Sequence, residues 1–593
     1  MHPLEEYTRR RERWLAVEQR AQKLFVQIGN WRLLVAVIAA LLAWLSLGRH
    51  VAPATLLLPL AAFILLVVWH QRVIRRRTCA QRAIRFYDDG LARLRDHWSG
   101  QGIAGLQYRD PAHIYSEDLD VFGKGSLFEL IARTRTTSGE GLLARWLLRP
   151  ADRADAIARQ AAVTELRRKL ELREEIALLG EDIRFGVKTQ SITGWGAAPD
   201  VVFHPALRSL CLVLSVSGAV FLIGFFANWL PLWPLLVIVA CNFVLMFALR
   251  TRVSSILAGV ESSGRDLTIL SLMVKRLEME EFESDRLRSL SARLEISGLT
   301  ASRRIAKLGR LIEFLDSSDH ILVRAVRPLI LWNEQLAMAL EAWRRESGRH
   351  VGGWIGTMAE FEALSSLASI AFERPQWSFP KLTECSSGEF HAEALQHPLL
   401  APAECVPNDV SLGDGGRLLI VSGSNMSGKS TLLRSIGLNA VLAWAGAPVA
   451  AANLTISPLH VGASIRVTDS LQEHRSRFFA EITRIRQIVD LTHRGPPVLF
   501  LLDELLSGTN SHDRRVGAAG IVHGLLKAGA IGLVTTHDLA LTNLDEDETV
   551  GISNVHFEDR IVNGEMRFDY KLRPGVVQRS NALELMRAVG LEV

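Results

Sequence analysis

The sequence is poor in the features that mark several protein classes. Its 593 residues include only five cysteines, and no two of these form a C-x-x-C pair, which argues against a zinc site or a disulfide framework and is typical of a reducing compartment. Charge of one sign is also scarce, since 68 Lys and Arg face 63 Asp and Glu for a net charge of +5, so charge alone does not indicate nucleic acid. The apolar content of 48% excludes a disordered or collagen-like chain, and the length predicts three or four structural units.

Long uncharged runs, in contrast, are abundant. Four stretches carry no charged residue, namely residues 33–48, 51–69, 209–227 and 229–249. A membrane-spanning helix needs about 17–25 such residues, a length that the last three runs reach and that the first reaches only with Trp31 and Arg32 as interfacial residues. The runs lie in closely spaced pairs, so we expect four transmembrane helices, in two hairpins, that contact membrane lipid. Buried helices of a soluble core are the alternative that hydropathy leaves open.

Basic residues flank both hairpins and predict their orientation. Lysine and arginine are concentrated before residue 33 and over residues 72–77, and Arg208, Arg250 and Arg252 border the second hairpin. Positive charge stays on the cytoplasmic side of a membrane, so we expect a multi-pass protein of the cell (inner) membrane whose soluble domains face the cytoplasm. The mostly polar residues 1–30 make the first run a poor signal peptide and favour a retained anchor.

The order of elements predicts a multidomain fold of the α and α/β classes. Residues 154–179 and 251–290 have apolar residues at helical spacing, the second stretch as one long pattern. Pro375 and Pro380 end the helices, and residues 418–421, 498–502 and 531–535 then read as strands of a sheet covered by helices. The predicted parts are a cytoplasmic N-terminal helix (1–30), transmembrane hairpin 1 (31–77), a helical core (78–206), transmembrane hairpin 2 (207–250), a helical lever (251–372) and an ATPase domain (373–593).

A phosphate-binding loop is the most specific motif in the chain. Residues 423–431 read G-S-N-M-S-G-K-S-T and satisfy G-x-x-x-x-G-K-[ST], with a strand predicted before them and a helix after them. Glycines let backbone N–H groups curl around phosphate oxygens, Lys429 supplies a charge for the β- and γ-phosphates, and the Ser430 hydroxyl can ligate Mg²⁺. The predicted nucleotide-binding residues of this loop are Gly423, Ser424, Asn425, Met426, Ser427, Gly428, Lys429, Ser430 and Thr431.

Two further predicted strands end in polar side chains. Asp503 and Glu504 follow residues 498–502, and we expect Asp503 to hold Mg²⁺ through water and Glu504 to orient or deprotonate the attacking water. His537 follows the third strand and is predicted to sense the γ-phosphate, although a solvated strand end would explain either motif in isolation. Because ligand groups of open sheets lie at the carboxyl ends of strands, we expect one ATP and Mg²⁺ site with Lys429, Glu504 and His537 in catalytic roles.

Together these motifs resemble the ATPase domain of the MutS family of mismatch-repair proteins, a branch of the ABC-type ATPases. The resemblance lies in the Asn-Met pair of the P-loop, in D-E-L-L-S-G-T-N at residues 503–510 and in T-T-H at residues 535–537. Shorter matches are Q-H-P at 396–398, N-V-H at 554–556 and S-R-F-F-A-E at 476–481, which is similar to the family's signature helix. Residues 120–150 look like the start of the MutS core domain, and residues 358–364 look like the end of its lever.

The resemblance implies roles that the residues alone do not. It implies an ABC-type P-loop ATPase domain that forms a homodimer, with Ser476 reaching the γ-phosphate of the opposite subunit, although Ser476 can also simply cap a helix. It also implies nucleotide contacts for His556 and for Val406. The stretch from Cys405 to Asn408 lies where the family usually places an aromatic residue against adenine, and no aromatic residue occurs there.

Two departures separate the chain from mismatch sensors. No mismatch-reading domain with a Phe-x-Glu motif precedes residue 115, and a membrane hairpin followed by uninterrupted helix stands where the family carries a β-rich DNA clamp. The pattern resembles a membrane-associated MutS-like branch, and we expect a membrane-anchored ATPase that binds DNA without mismatch specificity. The alternatives are an ATP-driven regulator of a membrane complex that does not bind nucleic acid and a nucleotide-dependent scaffold that scarcely hydrolyses ATP.

Overall fold

Two compact units make up the chain. The computed structural model describes residues 2–48, 51–181, 189–258, 264–296, 298–317, 327–413, 415–424, 426–466, 477–506, 509–537, 551–562 and 565–577. Unit 1 comprises Met1–Gln101 and Leu170–Glu181, and unit 2 comprises Gly102–Lys169 and Asp182–Val593. The domain boundaries given above divide the chain differently and stay a prediction.

Helices and strands are numbered in chain order. The helices are α1 Pro3–Leu47, α2 Leu57–Leu94, α3 Leu127–Ile131, α4 Thr137–Leu148, α5 Arg153–Arg168, α6 Leu170–Gly180, α7 Thr189–Ala197, α8 Pro205–Phe226, α9 Trp233–Ala258, α10 Gly264–Glu278, α11 Asp285–Ala292, α12 Ala301–Asp316, α13 Trp332–Ser347, α14 Val351–Glu373, α15 Lys429–Ala445, α16 Arg477–Leu491 and α17 Ser511–Lys527. The strands are β1 Glu295–Ile296, β2 Leu299–Thr300, β3 Lys381–Leu382, β4 Phe390–Leu395, β5 Asn408–Leu412, β6 Leu418–Ser422, β7 Asn453–Ile456, β8 His460–Ser464, β9 Val498–Leu502, β10 Ile531–Thr536, β11 Ile552–Val562 and β12 Glu565–Pro574.

Unit 1 is built from α1, α2 and α6. Gly90 of α2 lets the Tyr7 ring of α1 lie against its backbone, since a Cβ at Gly90 would stand 2.4 Å from that ring. In α6, the Glu174 carboxylate accepts hydrogen bonds from Trp14 Nε1 at 2.6 Å and from Arg10 at 3.1 Å. The Tyr87 hydroxyl of α2 also donates to this carboxylate, and a mostly buried acid that is satisfied from two neighbouring helices fixes how the three helices pack.

Within the described residues, four helices are long and apolar enough to cross a membrane, judged by length and composition alone. They are Pro3–Leu47, Ala54–Leu94, Pro205–Phe226 and Trp233–Ala258, and each of the four uncharged runs of the sequence falls largely within one of them. Pro205 occupies the first turn of α8, where proline lacks no needed donor. Asn228 takes a left-handed φ of 58° in the turn after α8, a conformation that asparagine tolerates better than most residues.

The helix predicted over residues 251–290 is wrong in its extent. That stretch contains the end of α9, then α10 and α11, and a short hairpin of β1 and β2 follows. Residues 279–284 carry three glutamates, which oppose the dipole at the carboxyl end of a helix. The Glu165 carboxylate accepts the N–H groups of Glu283 and Ser284 at 2.9 and 2.8 Å and so starts α11. The predicted 154–179 helix also breaks, at Lys169, whose ammonium donates to Glu280 at 2.6 Å.

Unit 2 contains the α/β part of the chain. Its main sheet has the strand order β12-β11-β6-β10-β9-β8, with β12 antiparallel and the other neighbours parallel. Every residue of β6, β9 and β10 is buried, as in parallel strands covered on both faces. The three predicted strands are confirmed. A second sheet has the order β3-β7-β4-β5.

Within unit 2, a core segment joins the part that carries the P-loop to the lever helices. The buried Asp118 carboxylate accepts the N–H groups of Ile465 and Arg466, both at 2.7 Å, and Arg434 of α15 donates to the Asp118 carbonyl at 3.1 Å. Farther along, Glu362 of α14 accepts the N–H of Arg135 at 3.0 Å. Residues 118–139 therefore contact both the helix that follows the P-loop and the last lever helix.

Candidate nucleotide site

The predicted site elements lie at one edge of the main sheet. The P-loop follows β6, Asp503 and Glu504 follow β9, and His537 follows β10, and these strands are neighbours in the order β6-β10-β9. Their ends are in register, with Thr536 paired to Ser422. The carboxyl ends of these parallel strands thus bring the three elements together.

The P-loop wraps the first turn of α15. Gly428 caps this helix with a φ of 103°, and a Cβ there would stand 3.2 Å from the Tyr570 ring, so both the backbone angle and the space favour glycine. The buried Lys429 donates from Nζ to the carbonyl oxygens of Gly423 and Ser424 at 2.9 and 2.7 Å. The lysine is therefore folded back on its own loop.

The donors of the loop suit an anion. Burial lowers the pKa of Lys429, and the nearby carboxylates of Glu504 and Asp503 partly offset that effect. The hydroxyl oxygens of Ser424 and Ser427 are buried and have no hydrogen-bond partner within the described ranges. Buried polar groups normally find partners, and at a helix N-terminus the partners that these groups fit are phosphate oxygens.

The acidic pair is held by the strand beside it. Asp503 accepts a hydrogen bond from the Thr535 hydroxyl, and the Glu504 N–H donates to Thr535 Oγ1 at 3.0 Å. Glu504 has a left-handed φ of 49°, which is uncommon for a residue other than glycine and is often found at functional sites.

His537 connects the two motifs. Its Nε2 lies 2.6 Å from Glu504 Oε1, and its Nδ1 lies 3.2 Å from the Gly423 carbonyl oxygen. Each ring nitrogen therefore faces an acceptor oxygen. His537 thus positions Glu504 against the P-loop.

The residues proposed for Mg²⁺ are few. Ser430 lines the cavity described below, and Asp503 lies at the end of β9. Across the part of the chain that the structure describes, no group of three or more His, Cys, Asp and Glu could hold a metal. The oxygens of Ser430 and Asp503 suit Mg²⁺, which keeps several waters and takes further oxygens from phosphates.

A cavity of about 440 Å³ opens beside the loop. Residues 428–431 line it, and Val406, predicted to contact the nucleotide, also stands in its wall. Tyr570 of β12 lines it too, half exposed, with its ring 5.9 Å from that of Phe568 at 29°. The Asn408 amide donates to the Tyr570 carbonyl at 2.9 Å. Sequence reasoning missed Tyr570, which supplies the aromatic surface that residues 405–408 lack.

Two histidines of the short motifs take different positions. His397 lines the cavity, burial lowers its pKa to about 4, and its Nδ1 accepts the Leu399 N–H at 3.2 Å. Its imidazole is therefore neutral near pH 7, with the proton on Nε2. His556 does not line the cavity; it is buried, with Nδ1 3.0 Å from the Gly575 carbonyl oxygen. The neighbouring Phe557 lines the cavity instead, because successive strand side chains point to opposite faces.

Another residue that sequence reasoning missed lies behind Glu504. The buried Glu481 of α16 accepts the Leu506 N–H at 2.6 Å, and Leu506 has a left-handed φ of 56°. This contact supports the turn that carries Glu504. The sequence signal was the glutamate of the 476–481 motif, but the motif does not show which backbone group this glutamate holds.

Of the remaining predicted site residues, two lie within the described ranges and two lie outside them. Met426 is exposed with a φ of 69°, and Thr431 lines the cavity. Asn425 and Ser476 lie outside the described residues. Their roles, like the assigned roles of the other site residues, stay predictions.

Comparisons with known proteins match two parts of the chain. Residues 419–592 match the family model of MutS domain V, and residues 113–187 match that of MutS domain III. An endonuclease MutS2 of Thermomicrobium roseum is 35% identical over 201 residues, which are 33% of this chain and 25% of that protein. A DNA mismatch repair protein MutS 2 of Halobacterium salinarum is 32% identical over 239 residues, 40% of this chain and 27% of that protein. The chain thus spans about a quarter of the length of these curated relatives.

Proposed function

Because the chain belongs to the MutS family, we propose that it is a membrane-anchored ATPase that binds and hydrolyses ATP and that dimerises through its ATPase domains. The observation that carries the proposal is the convergence of the P-loop, the Asp503–Glu504 pair and His537 at one sheet edge beside a cavity.

Each site residue has a task in this proposal. Bound ATP supplies the phosphoryl group, and Mg²⁺ neutralises its charge. Lys429, now on two carbonyl oxygens, exchanges these partners for phosphate oxygens, and the unpaired hydroxyls of Ser424 and Ser427 add donors. Glu504, oriented by His537, aligns or deprotonates the attacking water.

In this proposal, residues of the cavity wall hold the adenine base of ATP and the Mg²⁺ ion. Tyr570 offers a ring face to the base, and Val406 contacts it from the facing stretch of chain. An aromatic ring and a purine stack with a free energy of about 1–3 kcal/mol. Ser430 would hold Mg²⁺ through its hydroxyl oxygen, and Asp503 would hold it through water.

We propose that α1, α2, α8 and α9 cross the cell (inner) membrane and leave the soluble parts in the cytoplasm. Exposed aromatic side chains support this, since Phe226, Trp229 and Phe247 are 76%, 82% and 79% exposed. Large exposed apolar surface on long uncharged helices suits lipid rather than water. The basic residues that flank the runs favour the cytoplasmic side for both chain ends.

Membrane-impermeant maleimide labelling of intact cells tests this topology. Cysteines that replace Arg49 or Asn228 should react from outside, whereas cysteines that replace Arg76 or Thr251 should react only after the membrane is opened. Labelling of the Arg76 position from outside would contradict the four-span proposal.

DNA binding without mismatch preference is part of the proposal, and its support is family membership and the names of the relatives. The rival is a regulator of a membrane complex that binds no nucleic acid. One observation favours the rival: in the described part of residues 251–372, only the two-residue strands β1 and β2 occur, which leaves little of a β-rich clamp. Duplex binding should fall about tenfold or more between about 50 and about 200 mM salt if several phosphates are contacted, and no binding at low salt would favour the regulator.

A further inference from the structure

A short segment of the lever lies between the helices of the second hairpin. We call residues 328–331 the wedge. Leu329 packs on Gly218 of α8, where a Cβ would stand 2.8 Å from Leu329 Cδ1. Asn242 of α9 is completely buried and donates from Nδ2 to the carbonyl oxygens of Pro328 and Leu329 at 3.1 and 2.9 Å. The wedge therefore contacts both apolar helices.

The third wedge carbonyl is satisfied from α8 and α13. The Ser215 hydroxyl donates to the Ile330 carbonyl oxygen at 2.8 Å. Gln335 Nε2 donates to Ser215 Oγ at 3.0 Å and to the Ile330 carbonyl oxygen at 2.9 Å. Leu331 has a left-handed φ of 47° directly before α13, and such a break leaves carbonyl groups without partners in their own helix. In apolar surroundings those carbonyls need donors, which Asn242, Ser215 and Gln335 provide.

The donors of α8 and α9 stand inside the uncharged runs. Ser215 lies six residues after the start of run 209–227, and Asn242 lies seven residues before the end of run 229–249. At 1.5 Å per residue these positions are about 9 Å and about 10 Å from the ends of the runs that carry the basic flanks. Polar side chains within such helices commonly make helix–helix contacts or serve function.

α13 continues from the wedge along α8. Met338 packs with Cys211 and Leu331 in one buried cluster. About one turn farther, the Glu341 carboxylate accepts the Val201 N–H at 2.8 Å. The lever helix therefore follows α8 from the middle of the apolar run to the polar residues before it.

We propose that the wedge is a membrane-embedded part of the lever and that α8 and α9 form its socket, so that hairpin 2 is driven by the lever as well as anchoring the chain. This inference rests on the proposed membrane anchoring. Hydropathy does not reveal the wedge because Arg327 and Glu334 interrupt its apolar neighbourhood. The backbone contacts of Asn242 and Ser215 are visible only in the folded chain.

Disulfide trapping in native membranes tests the socket. In full-length protein whose five natural cysteines are replaced by serine, Gly218→Cys with Leu329→Cys should form a disulfide on mild oxidation, detected as a linked peptide by mass spectrometry. The control pair is Val213→Cys with Leu329→Cys, because Val213 is on the exposed face of α8. We expect a yield at least fivefold above that of the control, and equal yields would overturn the proposal.

Accessibility tests whether the wedge is embedded. Leu329→Cys alone should resist an impermeant maleimide in inverted vesicles and react after denaturation, while Glu346→Cys, which is exposed, should react in both. Equal labelling rates at the two positions in vesicles would contradict embedding. Flotation of the same vesicles reports the anchoring separately, so failure of the anchor and failure of the wedge give different results.

Asn242 is the residue that the socket depends on most. Asn242→Leu keeps the side-chain size and removes both donors, and we expect it to lower the Gly218–Leu329 disulfide yield at least threefold while ATP turnover in detergent persists. Phe243→Leu, at an exposed neighbour on α9, should leave the yield unchanged. If Asn242→Leu fails to fold, Ser215→Ala removes one contact more mildly and should lower the yield in the same direction. An unchanged yield in a folded variant would overturn the role of the socket.

Discussion

The two apolar hairpins have similar hydropathy but are built differently. In the most apolar windows of α1 and α2 only 6% of residues are buried, against 22% in α8 and α9. The first hairpin makes its polar contacts beyond the apolar runs, as in the Arg77–Glu18 pair at 3.4 Å and the Arg11–Asp88 pair at 2.5 Å. The second makes them inside the runs, through Ser215 and Asn242.

In our proposal, hairpin 1 is an anchor and hairpin 2 is a coupling element. Hairpin 1 belongs to unit 1, whereas hairpin 2 belongs to unit 2 together with the lever and the nucleotide site. Within unit 2, contacts run from α15 through Asp118 to the core, from the core through Glu362 to α14, and from α13 through the wedge to α8 and α9. Residues 348–350 join α13 to α14, so these contacts link the helix after the P-loop to the second hairpin.

The largest expected effect is on ATP hydrolysis at the proposed nucleotide site. Glu504→Gln should lower kcat by about 100-fold or more and leave ATP binding nearly intact, because it removes the base while keeping the phosphate donors. Steady-state ATP hydrolysis and equilibrium nucleotide binding by detergent-purified protein measure the two quantities. Glu384→Gln, at a largely exposed carboxylate, is the matched control, and unchanged turnover in Glu504→Gln would remove Glu504 from the mechanism.

A smaller effect is expected on the other side of the same cavity. Tyr570→Ala should weaken ATP binding by about tenfold, since loss of one stacked ring corresponds to about 1–3 kcal/mol, while Tyr570→Phe should bind almost as the natural protein does. Fluorescent-nucleotide titration measures both. Equal weakening in the Ala and Phe variants would mean that the hydroxyl, and not the ring, makes the contact.

The contact between core and lever should depend on pH. Complete burial raises the pKa of Glu362 from 4.5 to about 7, so the folded chain holds a proton that the unfolded chain releases at lower pH. The free energy of unfolding should therefore fall as pH rises from 4.5 to about 7, by ~3 kcal/mol at most from this group. Glu362→Gln, which can still accept the Arg135 N–H, should flatten this fall.

Thermal unfolding at several pH values measures the effect. The difference in Tm between Glu362→Gln and the natural protein should grow with pH up to about 7 and then stay constant. Glu346→Gln, at an exposed carboxylate of α13, should show no such trend. A constant difference at all pH values would contradict the raised pKa.

The smallest effect sharpens the comparison of the hairpins directly. In the Glu504→Gln background, which should retain ATP, adding nucleotide should change the maleimide labelling rate of Asn228→Cys by about twofold. The rate at Ala52→Cys should stay unchanged, because only Asn228 belongs to the unit that carries the P-loop. Equal changes at both positions would mean that the two hairpins move together.

Sequence reasoning succeeded where the cause of structure is local. The P-loop pattern and the all-apolar strands β6, β9 and β10 can be read from a few adjacent residues, and the strand-edge rule then predicts which motifs meet. It failed where a residue that is distant in the sequence determines the local structure. Glu165 interrupts the predicted long helix from more than a hundred residues away, Tyr570 enters the cavity from the last strand, and Asn242 is marked as a polar residue in an apolar run without any sign of its partner.

The central claim, that ATP hydrolysis is carried by a protein held in a membrane, is tested most directly by flotation. Purified full-length protein is reconstituted into lipid vesicles, floated through a density gradient, and assayed for ATP hydrolysis in the floated fraction, with Glu504→Gln treated identically. Our account predicts that both proteins float and that only the natural protein hydrolyses ATP, by about 100-fold or more over the variant. Protein that stays at the bottom of the gradient, or equal hydrolysis by the two proteins, would contradict it.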